Sequence, residues 1–191
     1  MGRRSMREEI GDAALERFHT RGYSAAGVKD ITDAAGVPKG SFYNHFPSKE
    51  AMAVEALHRY AATQGFELLA DTSVPPVARV RAHFEFVATQ QTARGFTRGC
   101  LYGNFAAEIA DHSELVRAEV DTGFDRWAAG LAAAITEAQR DGTVRAGLDP
   151  GRTARFILNA WEGTLLGARA SRSGESVEAF FALVFETILT A

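Results

Sequence analysis

Apolar residues recur at intervals of three and four along most of this chain, the spacing that gathers them on one face of an α-helix. The first such stretch contains Ile10, Ala14 and Phe18, with acidic residues in its first turn, where the helix dipole favours them. No stretch alternates convincingly as a strand, so we expect an all-α protein. Helices are predicted over residues 7–21, 28–35, 39–46, 49–70, 77–92, 100–110, 113–141, 150–170 and 176–190.

The second and third of these helices are short and are joined by a tight turn. Gly36 can take the left-handed conformation that ends a helix, and Pro38 suits the first turn of the next one. Ile31, Phe42 and Phe46 form an apolar inner face. A helix that enters the major groove of DNA needs such a scaffold face and an opposite face that is polar and of low bulk. The sequence therefore predicts a helix-turn-helix, with these residues near DNA: Lys39, Gly40, Ser41, Tyr43, Asn44, His45 and Lys49.

An ordinary helical bundle with merely solvated lysines is the alternative for this segment. All three lysines of the chain lie between residues 28 and 50, which favours a local surface for phosphate contacts. His45 could equally cap a helix or pack against it. Tyr43 could be half-buried, with only its hydroxyl group at the surface.

Charge is unevenly distributed along the chain. The first 64 residues contain nine Lys or Arg against eight Asp or Glu, the remainder contains twelve against sixteen, and the net charge is -3. This balance excludes a protein that binds nucleic acid over its whole surface, but it is compatible with DNA binding by a local surface.

Membrane insertion and export are not indicated. No run of about 18 apolar residues occurs, and the N-terminal residues pass into a charged helix without the apolar core of a signal peptide. The one cysteine, Cys100, cannot form an internal disulfide, which fits a reducing compartment. We therefore expect a cytoplasmic protein with no membrane partner.

The segment TRGYSAAGVKDITDAAGVPKGSFYNHFPSKEAM resembles the N-terminal domain of the TetR family of bacterial transcriptional regulators. The resemblance joins AAGV, KGSFYNHF and SKE in register after a helix that ends in RGY. It implies that residues 1–50 form a three-helix DNA-binding domain of the helix-turn-helix type and that residues 51–191 form a helical ligand-binding and dimerisation domain. One departure is Gly27, which stands where the family usually has Ser or Thr, so a side-chain cap and a phosphate contact are missing there.

The resemblance also implies a mechanism. The family's members are ligand-responsive regulators, and we expect a repressor that binds a palindromic operator as a homodimer and is released by a small-molecule or electrophile effector. The last two predicted helices carry more apolar surface than a pair of helices facing solvent would expose to water. This observation independently predicts a homodimer through these helices.

No enzymatic chemistry is predicted. The five histidines show no spacing typical of a metal site, and no base with an orienting partner accompanies Cys100. We expect no catalytic residues, no metal and no cofactor. Two alternatives stay open, namely a DNA-binding adaptor controlled by a protein partner and an enzyme that uses Cys100 as its nucleophile.

Cys100 lies in the segment RGCLYGNFAAEIADHSELVR, in the first turn of a predicted helix and near Arg98 and Arg94. A helix N-terminus and a nearby cation stabilise a thiolate. With the later segment GTLLGARASRS, it is similar to the family branch that includes the N-ethylmaleimide-responsive repressor, in which the cysteine of a similar GCL motif senses electrophiles and oxidants. A lysine is also implicated in that sensor, and its nearest counterpart in this chain is Arg169. The alternative is that Cys100 is a small buried hydrophobic residue.

An effector pocket in a helical domain is usually apolar with a few polar anchors. Asn104 and Glu108 follow Cys100 at four and eight residues and so share its helix face, although they could serve as structural caps. Most aromatic residues of the second domain are expected in the core, and some should line the pocket. The predicted pocket residues are Phe84, Cys100, Tyr102, Asn104, Phe105, Glu108, Trp127 and Trp161.

Overall fold

A computed structural model describes residues 5–191 of the chain. Over these residues it contains helices and no strands, so the predicted all-α class is confirmed. The final turn, Val184–Ile188, is a π-helix. The helices before it are α1 (Met6–Arg21), α2 (Val28–Ala35), α3 (Lys39–His45), α4 (Lys49–Ala61), α5 (Glu67–Ala70), α6 (Pro76–Ala93), α7 (Leu101–Glu108), α8 (Glu114–Arg140), α9 (Pro150–Ser171) and α10 (Glu175–Leu183).

The ends of the first helices follow from local capping. Ser5 and Glu8 form a capping box at the start of α1, each side chain accepting a hydrogen bond from the other residue's backbone N–H. Gly27, as expected, gives α2 no side-chain cap; instead the Asp30 carboxylate accepts a hydrogen bond from its N–H at 3.0 Å. Gly36 ends α2 in the left-handed conformation, with φ of 68°. These local signals explain why α2 has the predicted bounds.

The prediction of one unbroken helix over residues 49–70 is wrong. Helix α4 ends at Ala61 and α5 begins at Glu67. Between them Gly65 has a φ of 68°, and a Cβ at this position would lie 2.6 Å from the ring of Phe86. A helical residue cannot take this conformation, and only glycine fits against the ring.

The end of the chain also differs from its prediction. The helix expected over residues 176–190 continues beyond α10 as the π-helical turn, in which the Leu189 N–H donates to the carbonyl of Val184 at 2.8 Å. This bond spans five residues, so the turn is wider than an α-helical one.

The first compact unit comprises Met1–Thr63 together with Leu101–Gly123. Helix α1 packs against α2 and α4, α2 packs against α3, and α4 packs against α7. Phe18 is fully buried, and its ring centroid lies 5.6 Å from the ring centroids of both Tyr23 and Phe105. A helix that is distant in the sequence, α7, therefore completes the core of this unit.

The second compact unit comprises Gln64–Cys100 and Phe124–Ala191. Helix α5 packs against α6, and α9 packs against α10. The buried guanidinium of Arg79 pairs with Glu137 and donates to the carbonyl of Leu69 at 3.3 Å. The centre of this unit holds a group of ring side chains that we call the aromatic cluster: Phe66, His83, Phe84, Trp127, Trp161 and Phe180.

Each compact unit in this division combines two segments of the chain. The functional division expected at residue 50 is a separate matter and stays a prediction. In the part of the chain that the structure describes, no helix is both long enough and apolar enough to cross a membrane.

Candidate nucleic-acid interface and effector region

The inner face of α3 is fixed in the core of the first unit. Phe42 is fully buried and Phe46 is 3% exposed, with their ring centroids 5.8 Å apart. Ile31 of α2 is also fully buried. The three apolar residues that the sequence assigned to the scaffold face thus hold α3 against its own unit.

The opposite face of α3 lies in solvent. Lys39, Asn44 and His45 are exposed, and Ser41 is half-buried. The side chains of Lys39 and Asn44 make no hydrogen bond or ion pair with another residue in the range 5–191. This face therefore offers unpartnered polar groups, and the exposure of His45 disfavours the alternative in which it packs against the helix.

Two further residues shape the outer face of α3. Tyr43 is 59% exposed, so it is not half-buried with only its hydroxyl group at the surface. Its ring packs edge-on with the ring of Phe42, with 5.2 Å between centroids. Gly40 is exposed, and a Cβ built on it would meet no atom within 4 Å. Packing within the protein therefore does not require glycine at this position, whereas close approach of a partner would benefit from it.

Lys49 differs from Lys39 in its surroundings. Ser48 caps α4, as predicted, by accepting a hydrogen bond from the Ala51 N–H at 3.1 Å. The ammonium of Lys49 lies 4.2 Å from the ring centroid of Tyr23, a cation–π contact. Burial lowers the pKa of Lys49, while Glu108 acts in the opposite direction. Lys49 thus has partners within the first unit, and its predicted phosphate contact stays a prediction.

Glu108, at the end of α7, clamps the loop before α2. Its carboxylate accepts hydrogen bonds from the N–H groups of Tyr23 and Ser24, both at 2.7 Å. Burial raises the pKa of Glu108, but these hydrogen bonds outweigh burial and the net pKa lies below its usual value. Gly22 has a φ of 84°, and a Cβ there would lie 2.8 Å from the carboxylate. This contact could not be predicted from the sequence, because its partners lie about 85 residues apart.

The structure does not bring all the predicted pocket residues into one unit. Tyr102, Asn104, Phe105 and Glu108 belong to the first unit. Tyr102 donates to the carbonyl of Leu57 at 3.4 Å, so it has a structural contact there. The remaining four, Phe84, Cys100, Trp127 and Trp161, belong to the second unit. A pocket lined by all eight residues stays a prediction.

Three of the predicted pocket residues meet in the aromatic cluster, together with a histidine that the sequence did not single out. Phe84 lies 6.3 Å from Trp127 and 5.2 Å from Trp161 between ring centroids. His83 is fully buried, and its ring meets the ring of Trp127 edge-on at 5.4 Å. Burial lowers the pKa of His83 to about 4. A histidine at helical spacing is usually an ordinary core residue, so the sequence did not indicate that His83 belongs to this cluster.

Cys100 is 4% exposed and lies immediately before α7, not inside the helix as predicted. Its thiol forms a hydrogen bond with the carboxyl group of Glu162 on α9. Burial raises the pKa of Glu162 to about 7, although this hydrogen bond acts to lower it. The acid was missed in the sequence because it lies 62 positions further along the chain. Stabilisation of a thiolate by the nearby arginines stays a prediction.

Residues 5–191 contain no group of three or more His, Cys, Asp or Glu side chains that could hold a metal ion.

Comparison with known proteins identifies two domain families in this chain. Residues 10–56 match the family described as bacterial regulatory proteins, tetR family. Residues 76–184 match the family described as tetracyclin repressor-like, C-terminal domain. Together these matches follow the predicted order of a DNA-binding part and a second helical part.

Full-length relatives support the same assignment. The chain is 38% identical to the HTH-type transcriptional repressor DhaR of Mycobacterium sp. (strain GP1), covering 99% of this chain and 95% of DhaR. It is 33% identical to the transcriptional regulator AcuR of Cereibacter sphaeroides, over 88% of this chain and 78% of AcuR. The crystal structure of reduced E. coli NemR aligns with a TM-score of 0.83 at 32% identity, covering 97% of this chain and 98% of NemR.

These relatives are DNA-binding regulators and not enzymes, which confirms the class predicted from the sequence. The helix-turn-helix described above is the part of the chain that the first family match covers. The chain is a member of the TetR family of bacterial transcriptional regulators.

Proposed function

We propose that this regulator is a repressor that binds a palindromic operator as a homodimer and is released by a small-molecule or electrophile effector. The observation that carries the proposal is the outer face of α3, where Lys39 and Asn44 are exposed and unpartnered while Phe42 anchors the helix. The names of DhaR and NemR, both transcriptional repressors, support repression over activation.

We assign DNA contact to residues 1–50. Asn44 and Lys39 are the candidates for base edges, because amide and ammonium groups can donate in the major groove. Gly40 and Ser41 allow close approach of the helix. Phosphate contacts are assigned to Tyr43, His45 and Lys49.

The function is tested by selecting bound fragments from a pool of random duplex DNA with the full-length protein. We expect an inverted repeat whose half-sites lie about one helical turn apart, or a multiple of it. Affinity should fall as salt concentration rises, because phosphate contacts release counterions. Absence of salt-sensitive duplex binding above background would contradict the proposal.

A homodimer is supported by exposed apolar residues on the last two helices. Phe156 and Leu166 of α9 are 59% and 67% exposed, and Leu183 of α10 is 61% exposed. Covering these side chains in a two-fold interface would remove them from water. Sedimentation equilibrium should give a dimer for the wild type and a monomer for Leu166→Glu. Leu115→Glu on α8, also at an exposed leucine, is the matched control and should stay dimeric.

Residues 51–191 are proposed to carry the effector site as well as the dimer interface. The aromatic cluster supports a small-molecule site in the second unit, since Phe84, Trp127 and Trp161 meet there. An electrophile effector would act at Cys100. Operator affinity measured with and without N-ethylmaleimide, on the wild type and on Cys100→Ser, tests this second route. Equal responses of the two proteins would exclude Cys100 as the sensor.

A further inference from the structure

Two ring nitrogens inside the aromatic cluster lack a hydrogen-bond partner. They are Nε2 of His83, in a fully buried residue, and Nε1 of Trp127, in a residue that is 3% exposed. Buried polar atoms in folded proteins nearly always have a partner, so two such atoms on adjacent rings require an explanation.

The two atoms have complementary hydrogen-bonding roles. The Nδ1 atom of His83 lies 3.2 Å from the carbonyl oxygen of Gly65. Since a carbonyl only accepts, Nδ1 carries the hydrogen and Nε2 presents a lone pair. Burial lowers the pKa of His83 to about 4, so the ring is neutral near pH 7. The indole nitrogen of Trp127 can only donate. Together the pair offers one acceptor and one donor.

The walls around this pair are aromatic. Phe66 stacks on His83 at 5.5 Å between ring centroids, and Phe84 stacks on Trp127 at 6.3 Å. Phe180 lies 4.9 Å from Phe84. A molecule that reaches the pair must therefore present mostly apolar surface, because a charged group would lose its hydration among these rings.

We infer that the aromatic cluster is the effector site and that it takes a small, neutral, largely apolar molecule with a hydroxyl group. The hydroxyl donates its hydrogen to Nε2 of His83 and accepts one from the Nε1–H of Trp127. A hydroxyl is both donor and acceptor, so one group satisfies both atoms. The inference rests on the proposed function, in which a small molecule controls DNA binding.

Entry of the effector requires the rings to move apart. Both nitrogens are closed to solvent, so the state that binds the molecule differs from the closed cluster. The unsatisfied pair makes the closed state less favourable than a fully paired core would be. A hydroxyl compound that binds only the opened state shifts the population towards it.

The ligand class is tested by calorimetric titration of the full-length protein with three probes: benzyl alcohol, toluene and benzoate. Toluene has the ring without the hydroxyl, and benzoate carries a negative charge. We expect benzyl alcohol to bind about tenfold more tightly than toluene, from the hydrogen bonds that it adds. Benzoate should bind more weakly than benzyl alcohol. Equal binding of benzyl alcohol and toluene, or preference for benzoate, would overturn the inference.

The assignment of the two atoms is tested with Trp127→Phe and His83→Phe, which keep an aromatic ring and remove one polar atom each. The preference for benzyl alcohol over toluene should fall towards unity in both variants. Trp161→Phe makes the same ring change elsewhere in the cluster and should keep the preference of about tenfold. Retention of the full preference in Trp127→Phe and His83→Phe would overturn the assignment. The comparison of probes on the wild type needs no variant, so it holds even where a variant fails to fold.

Failure of this inference is distinguishable from failure of the proposed function. Duplex binding by the same preparation is measured in parallel. If the protein binds operator DNA but does not discriminate benzyl alcohol from toluene, the proposed function stands and the hydroxyl site is rejected. A protein that discriminates the probes but binds no duplex DNA loses the proposed function, while the hydroxyl site remains.

Discussion

The outer face of α3 and the aromatic cluster both present polar groups without a protein partner, but in opposite settings. Lys39 and Asn44 lie in solvent, where water satisfies them and an unpartnered state has no penalty. His83 and Trp127 are closed to water, so their unpaired nitrogens make the folded state less favourable. The open face of α3 therefore suits an extended duplex, and the closed aromatic cluster suits a small molecule.

The largest effect is expected where the open face of α3 depends on its buried face. Phe42→Ala removes a fully buried ring and should lower the free energy of unfolding by about 3–5 kcal/mol. Operator affinity should be lost with it, because α3 would no longer be held. Urea denaturation checks the first effect and duplex titration the second. Tyr43→Phe, which removes an exposed hydroxyl, is the control and should change stability by no more than about 0.5 kcal/mol. A stable Phe42→Ala variant would contradict this account of the scaffold.

The next effect concerns proton binding by Glu162, a half-buried acid of the second unit. Glu162 has a pKa raised by burial to about 7 from an ordinary 4.5, so between these values the folded state keeps a proton that the unfolded state has lost. The contribution of Glu162 to stability should therefore fall as pH rises through this window, by up to about 3 kcal/mol. Glu162→Gln cannot titrate and should lack this loss. Unfolding free energies from pH 4.5 to 8 test it; parallel profiles would reject it.

His83 should act with the opposite sign. Its folded-state pKa is lowered by burial to about 4 from 6.5, so below pH 6.5 the unfolded state binds a proton that the folded state refuses. The contribution of His83 to the free energy of unfolding is complete above pH 6.5. It is lost as pH falls towards 4, by up to about 3 kcal/mol. His83→Phe should remove this acid-side loss, measured by urea unfolding between pH 4 and 7. A His83→Phe profile parallel to that of the wild type would show that His83 makes no such contribution.

A smaller effect is expected at the clamp on the loop before α2. Glu108→Gln keeps one acceptor oxygen for Tyr23 or Ser24 and removes the negative charge, so stability should fall by about 1–2 kcal/mol. Operator affinity should also fall, because this loop leads into the helix-turn-helix. Glu114→Gln, at an exposed glutamate of α8, is the matched control. Equal behaviour of the two variants in urea unfolding and duplex titration would argue against the clamp.

The smallest effect on folding is expected from Lys39→Ala, because the side chain is exposed and makes no hydrogen bond or ion pair with another described residue. Stability should not change measurably. Duplex affinity at low salt should fall about tenfold, and the slope of affinity against salt concentration should decrease by about one counterion. Lys29→Ala is the control, since Lys29 pairs with Asp33 at 2.5 Å. A larger affinity loss from Lys29→Ala would move the DNA surface away from α3.

Elements shaped by neighbouring residues could be predicted from the sequence, and elements shaped by distant contacts could not. Helix α2 and the start of α3 were predicted with their observed bounds, because Gly36 and Pro38 act on the backbone next to them. The break after α4 was missed because the conformation of Gly65 depends on close contact with Phe86, 21 residues later. Residues that end or start a helix can be recognised in the sequence, whereas a turn that depends on contact with a distant ring cannot.

The candidate site shows the same limit. The polar face of α3 was predicted because one helix supplies it. The contact of Glu108 with Tyr23 and Ser24, and that of Cys100 with Glu162, join distant segments and were not predicted. Helical spacing indicates that a side chain shares a face, but it does not identify the partner across that face.

The discontinuous make-up of the first unit has a consequence for biosynthesis. Phe105 completes the core around Phe18, so a nascent chain that has released only its first 63 residues from the ribosome lacks part of that core. The complete unit can form only after Gly123 has emerged. Translation must therefore pass through the whole first segment of the second unit, Gln64–Cys100, before the unit that contains α3 is complete, and a chain truncated earlier has α3 without the full core of that unit.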